Sequence, residues 1–220
     1  MGEFQGISII KKEGGTSRRS ENTDSTMAIV LYSPSFPVGY TSGNPIKTIQ
    51  ALDIKAKGFN ESFDANTQVL ICHHVEEFYR ICPDGELTVI VTSHTTAKSF
   101  FESGQSKGTF RNLRDIKRIG FVYNADNAGL DLEAEINASQ AFINDLKKDD
   151  ILIDGIYLEA RGINKSPADR RTLDAPNVSL VAFQDPVIAT ANAKYNKYAA
   201  VGTVLGLSLI HISEPTRLSV

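Results

Sequence analysis

Cysteine is scarce in this chain: Cys72 and Cys82 are the two it has in 220 residues. That is too few for a disulfide scaffold, so buried free thiols in a reducing compartment are expected. Excess charge of one sign is also missing. Lys and Arg number 23 against 26 Asp and Glu, a formal net charge of −3. A dedicated nucleic-acid binder normally presents a basic face, which this balance argues against. Long apolar runs are absent too, none approaching the roughly 18 residues that a bilayer span needs. The opening Met1-Gly-Glu-Phe-Gln-Gly6 carries no basic stretch followed by an apolar one, so a secretory leader is not expected.

What remains is ordinary globular material, 41% hydrophobic and 22% charged. Gly6-Ile-Ser-Ile-Ile10 is a short β-rich run, followed by sixteen residues, Lys11 to Thr26, without one large apolar side chain. Such a segment cannot offset its ordering entropy by burial, and residues 1–26 are expected to form a strand and flexible arm. Met27 to Tyr32 reads as a strand stopped by the Ser33-Pro-Ser-Phe-Pro37 segment. The spacing then predicts helices over Pro45 to Gly58 and over Ala65 to Ile81, a turn at Pro83-Asp-Gly85, and a buried strand over Glu86 to Thr92.

Strand and helix alternate more clearly afterwards. Ala97 to Phe101 and Phe110 to Lys117 are expected to be helical, and Arg118 to Tyr123 extended. Leu132 to Lys148 is the strongest helix, with Ala138, Phe142 and Leu146 four apart and Ile136 and Ile143 beside them. Strands are expected at Ile151 to Glu159 and Asn177 to Phe183, and a last helix from Asp185-Pro186 towards Gly206. This order predicts an α/β fold: a layered, mostly parallel sheet with flanking helices, over residues 27–206.

Four groups of residues invite a chemical reading. Gly104-Gln-Ser-Lys-Gly108 fits the G-x-S-x-G pattern of serine hydrolases, which needs Ser106 on a strand-to-helix turn. Helical residues precede it, and the only later histidine that could complete an Asp…His pair, His211, lies in the C-terminal stretch set apart below, so a polar loop is expected. Cys72, His73, His74 and Cys82 lack the paired spacing of a structural zinc site. On a helix, Cys72 would face inward with Val69 and Val75, and the two histidines would sit at the edge. Asn124 to Glu135 places Asp126, Gly129 and Glu135 at calcium-loop positions three, six and twelve, but Ala128 at position five has no side-chain oxygen to donate. An acidic turn leading into a helix explains the same residues. Asp154, Glu159 and Arg161, with Asp169-Arg-Arg171, fall near strand ends, where an enzyme of this class would bind its ligand and an assembly protein would place intersubunit ion pairs. No catalytic, cofactor-binding or metal-binding residue is expected.

The last stretch, Leu207-Ser-Leu-Ile-His-Ile-Ser-Glu-Pro-Thr-Arg217, resembles the translation of a sequencing-library adapter. Residues 207–220 are therefore set apart as an artefactual tail, the boundary is placed near Gly206, and the chain is expected to be an N-terminal fragment of a longer protein.

The order of segments carries a family resemblance. Val75-Glu-Glu-Phe-Tyr-Arg-Ile-Cys-Pro-Asp-Gly-Glu-Leu-Thr-Val-Ile-Val91 resembles contractile tail sheath proteins of bacteriophages and related injection machines. There, an aromatic-rich helix passes through an Asn/Asp-Gly turn into a strand. Arg118 to Tyr123, Gly155 to Gly162, Asn177 to Pro186 and Tyr198 to Gly206 are similar to sheath-like phage and prophage proteins, over Gln5 to Gly206 in all. The resemblance implies a structural subunit rather than an enzyme. Its partners would be identical subunits in a helical array, a tail tube and a baseplate, with no nucleic acid, membrane or cofactor. It implies assembly in the bacterial cytoplasm and residence in a virion tail or injection apparatus. The competing expectation is a truncated α/β hydrolase-like or ligand-binding enzyme.

Overall fold

The computed structural model describes residues 26–123, 130–160, 173–182 and 199–213, with side chains described as far as residue 209. Six strands form one sheet in the order β2-β3-β1-β4-β5-β6. They are β1 (Thr26–Tyr32), β2 (Pro45–Thr48), β3 (Leu87–Thr92), β4 (Ile116–Val122), β5 (Gly155–Glu159) and β6 (Val178–Val181). β1 pairs in parallel with β3 and β4, and β5 continues the parallel run to β6. Among the described strands β2 alone is antiparallel, against β3. The expected α/β architecture with a mostly parallel sheet is what the chain adopts.

Seven helices flank the sheet among the described residues: α1 (Ala51–Ala56), α2 (Glu61–Thr67), α3 (Ile71–Ile81), α4 (Ala97–Phe101), α5 (Gly104–Asn112), α6 (Leu132–Lys147) and α7 (Val201–Ser213). β1 explains why both faces need cover. Met27 to Leu31 is an unbroken apolar run with essentially no exposure, as a central parallel strand requires. Its residues alternate between two cores. Ala28 and Val30 face a core with Phe100 and Phe101 of α4, Phe110 of α5, and Ile136, Phe142 and Leu146 of α6. Met27, Ile29 and Leu31 face the opposite core, with Ile54 of α1, Val75 and Phe78 of α3, and Val201 and Leu205 of α7.

Five local expectations are corrected. The helix expected over Pro45 to Gly58 is β2 followed by the short α1, because Pro45 to Thr48 pair antiparallel with Ile90 to Leu87. Pro45 is tolerated because β2 is an edge strand. The helix expected from Ala65 to Ile81 is two, separated at Gln68, whose φ of 60° is left-handed. The helix expected over Phe110 to Lys117 lies earlier, as α5, since the Ser103 side chain accepts from Ser106 N–H and caps the chain there. The segment expected to be a polar loop, Gly104 to Gly108, is therefore the start of α5. β5 is also shorter than expected, beginning at Gly155.

Gly6 to Ile10, the arm and most of Asp185 to Gly206 lie outside the described residues. α7 continues past Gly206 to Ser213. Leu209 is buried in the α3 side of the core, and the Ser208 carbonyl accepts a hydrogen bond from Arg118 Nη1 at 3.1 Å.

Candidate functional site

In an open parallel sheet, ligands bind beyond the carboxyl ends of the strands, where the strand order reverses. Here the reversal falls between β1 and β4, because the chain adds β3 on one side of β1 and then β4 on the other. This position is occupied by the protein's own groups. Ser33, fully buried at the end of β1, donates its N–H to the Thr92 carbonyl and its hydroxyl to the Ser35 carbonyl. Tyr123, at the end of β4, donates its N–H to Glu159 Oε2 at 3.1 Å and its hydroxyl to Glu135 Oε2 at 3.4 Å.

Glu135 extends from the first turn of α6 and is buried. Its Oε2 also accepts the Lys98 N–H at 2.6 Å, in the first turn of α4. An unpaired helix N–H near a positive dipole end is where an anionic ligand would sit in such a fold. Here the Glu135 carboxylate takes that place. Burial raises the pKa of Glu135, with the hydrogen bonds from Lys98 N–H and the Tyr123 hydroxyl opposing the rise. Burial also holds the Tyr123 phenol well above its ordinary value, reinforced by the Glu135 and Glu159 carboxylates. Glu159 completes the network by accepting the Ala199 N–H, just ahead of α7. Thus Glu135, Tyr123 and Glu159 tie α4, α6, β4, β5 and the approach to α7 together at the strand ends.

The chemical candidates separate. Ser106 is buried, and its hydroxyl donates to backbone carbonyls of Ser103 and Phe101, at 2.9 and 3.3 Å, within a helical segment. It has no nucleophile geometry. Asp154 precedes β5 and Glu159 ends it, so a strand of five residues, about 16 Å by the usual rise, separates them. Glu159 thus lies at the carboxyl end of the strand as expected and Asp154 at the opposite end, and Arg161 and Asp169 to Arg171 lie outside the described residues. Of the calcium-loop candidates, Asp126, Ala128 and Gly129 likewise lie outside them, and Glu135 serves the network above.

Cys72 is buried on α3 as expected, but His74 is buried as well rather than at the edge; His73 is half-buried. Cys82 caps the far end of the same helix. Glu61, Cys72 and Glu76 do lie close together, with one acceptor atom each within 4.8 Å of the others. Lys55 already supplies the cation there, pairing with Glu61 Oε1 and with Glu76 Oε1 at 2.6 Å. These hydrogen bonds, donated by Lys55 to Glu61 first and then to Glu76, raise the Lys55 pKa. Burial and the surrounding carboxylates push the Cys72 thiol up to about 12, far from the thiolate a metal requires. The cluster is an ion-pair junction joining α1, α2 and α3, with the Lys55 ammonium held between the two carboxylates.

Two sheet edges remain. β2 is short and carries Pro45 and the exposed Lys47, features that discourage further pairing. β6 ends the sheet opposite, with no strand beyond it among the described residues. No described helix is long and apolar enough to cross a membrane.

No protein-family model matches the sequence, and no curated protein matches it. Among solved structures, the chain is similar to the helical sheath of the anti-feeding prophage in its contracted state. The two share a fold at TM-score 0.54 and 12% identity, over 97% of this chain and 54% of the sheath chain. The likeness is one of fold, and the chain spans about half the length of the sheath protein it matches.

Proposed function

We propose that the chain is a structural subunit of a contractile tail sheath, of a phage tail or a related injection system, rather than an enzyme. The likeness in fold to a contracted prophage sheath carries the reading. The strand-end network supports it, since the place where an α/β enzyme would hold an anionic ligand is filled by Glu135. On this reading residues 27–206 are the sheath-like domain and residues 1–26 an arm that reaches a neighbouring subunit. Main-chain pairing between subunits is one way to satisfy a sheet edge, and a contact that does not close on itself builds a helical array. The array would surround a tail tube and meet a baseplate, assembling in the bacterial cytoplasm before entering the tail.

Expression of the intact gene product alone, followed by negative-stain microscopy, tests this. Tubes or helical polymers are expected; persistent monomers with esterase or phosphatase turnover would overturn it. The proposal that residues 207–220 are foreign is tested separately by sequencing the genomic locus. An uninterrupted reading frame through Leu207 to Arg217 would refute it.

A further inference from the structure

The seam between α3 and α7 is unusually close. A methyl group built on Gly202 would lie 2.2 Å from the His74 carbonyl oxygen, and one on Gly206 2.9 Å from Ile81 Cβ. His74 is a fully buried polar side chain in this seam, 2% exposed, while Thr203 of α7 and Glu77 of α3 meet nearer its rim. Its Nδ1 accepts the Gly202 N–H at 3.4 Å, which leaves the ring hydrogen on Nε2. That N–H is buried and has no hydrogen-bond partner among the described residues. A second proton could enter only at Nδ1, the atom that accepts from Gly202. It would turn the acceptor into a donor pointing at another donor, and place a charge where no carboxylate among the described residues pairs with the ring.

We propose that His74 is a proton-operated latch on α7: neutral, it holds the helix against α3, and protonated, it releases it. The inference concerns the single chain and does not depend on the sheath assignment. Charged and titratable side chains on the surrounding elements are Cys72, His73, Glu76, Glu77, Tyr79 and Arg80 of α3, Asp53 and Lys55 of α1, Glu61 and Asp64 of α2, Lys117 and Arg118 of β4, and Tyr157 and Glu159 of β5. α7 itself contributes none between Val201 and Leu209. Of these, His73 lowers the proton affinity of His74 further, after burial, whose effect is larger; its folded pKa falls to about 3 from 6.5. The folded state therefore binds fewer protons than an open one, so closure is fully favoured above pH 6.5 and weakens as pH falls towards 3.

Hydrogen exchange of the 220-residue chain, corrected for intrinsic rates, reads the latch directly. Protection of the Val201 to Leu209 amides is expected to fall about tenfold between pH 6 and pH 5, while β1 and β3 amides stay protected. His74→Gln, which keeps an oxygen able to accept from Gly202 but does not titrate, should abolish that fall; His74→Leu serves if the glutamine variant does not fold. His73→Gln, Asp64→Asn and Glu159→Gln should each retain it. Flat protection in the parent chain, an unchanged fall in the His74 variant, or loss of the fall in any of the three controls would overturn the latch.

Discussion

At the scale of single residues, glycines and buried acids set the sharpest expectations. Gly202→Ala would drive a methyl into the His74 backbone, which cannot rotate away as a side-chain tip would. It should destabilise the chain by about 3 kcal/mol, as overpacking of a rigid contact does. Gly108, inside α5, has open space around the same position. Gly108→Ala should instead stabilise by about 0.5–1 kcal/mol through helix propensity. Urea unfolding of the two variants measures both. Asp64 gives a pH-dependent expectation. It accepts the N–H groups of Ile71 and His73 at 3.1 and 3.2 Å, capping α3 from α2. Burial nevertheless raises its carboxyl to about 7 from 3.8, with the backbone hydrogen bonds opposing. The folded state thus binds more protons than the unfolded chain between those values. Its stabilising contribution is complete below pH 3.8 and is lost as pH rises through 7. Asp64→Asn should remove a slope of at most about 1.4 kcal/mol per pH unit in that window, read from urea midpoints at pH 4 to 7.

At the scale of elements, α6 is the clearest case of local pattern matching global need. Phe142 stacks on Phe101 with centroids 4.6 Å apart and meets Phe110 edge-on at 5.5 Å. Phe142→Ala should cost about 3–5 kcal/mol in chemical denaturation, since it opens a cavity between three helices. α6, β1 and β3 were legible in the sequence because an apolar period or unbroken run sets each of them. The elements misread depend on distant partners. The segment from Pro45 to Gly58 carries Ile46, Ile49 and Leu52 at helix-like spacing, yet its first four residues, β2, pair with β3, some forty residues on. The break between α2 and α3 rests on Gln68 in a left-handed conformation that no glycine announces. The strand-end network was hidden for a similar reason. Glu135 is 37 residues from Lys98, and Glu159 is 36 from Tyr123. Glu135 showed only as the end of an incomplete calcium loop, although an acid in the first turn of a strong helix was a usable hint.

For the whole molecule, the described sheet and its two cores are closed by elements that begin at Thr26. If residues 1–26 act as an assembly arm, deleting residues 1–25 should abolish tubes in negative stain and leave the far-ultraviolet circular dichroism and thermal midpoint nearly unchanged. A collapse of the thermal midpoint would instead make that segment part of the fold.

The parallel register of β1 also has a consequence for synthesis. Met27 aligns with Leu87 and Thr26 with Ile116, so neither neighbour exists when β1 leaves the ribosome. At typical elongation speeds of about 5–20 residues per second, β1 waits roughly 3–12 s for β3 and about 5–18 s for β4. Until β3 arrives both edges of five consecutive apolar residues lack their partners, and the face that α4, α5 and α6 cover stays open longer than the face met by α1 and α3. The central strand of the finished sheet is therefore among the last to be enclosed, although it is the first of the described elements to be made.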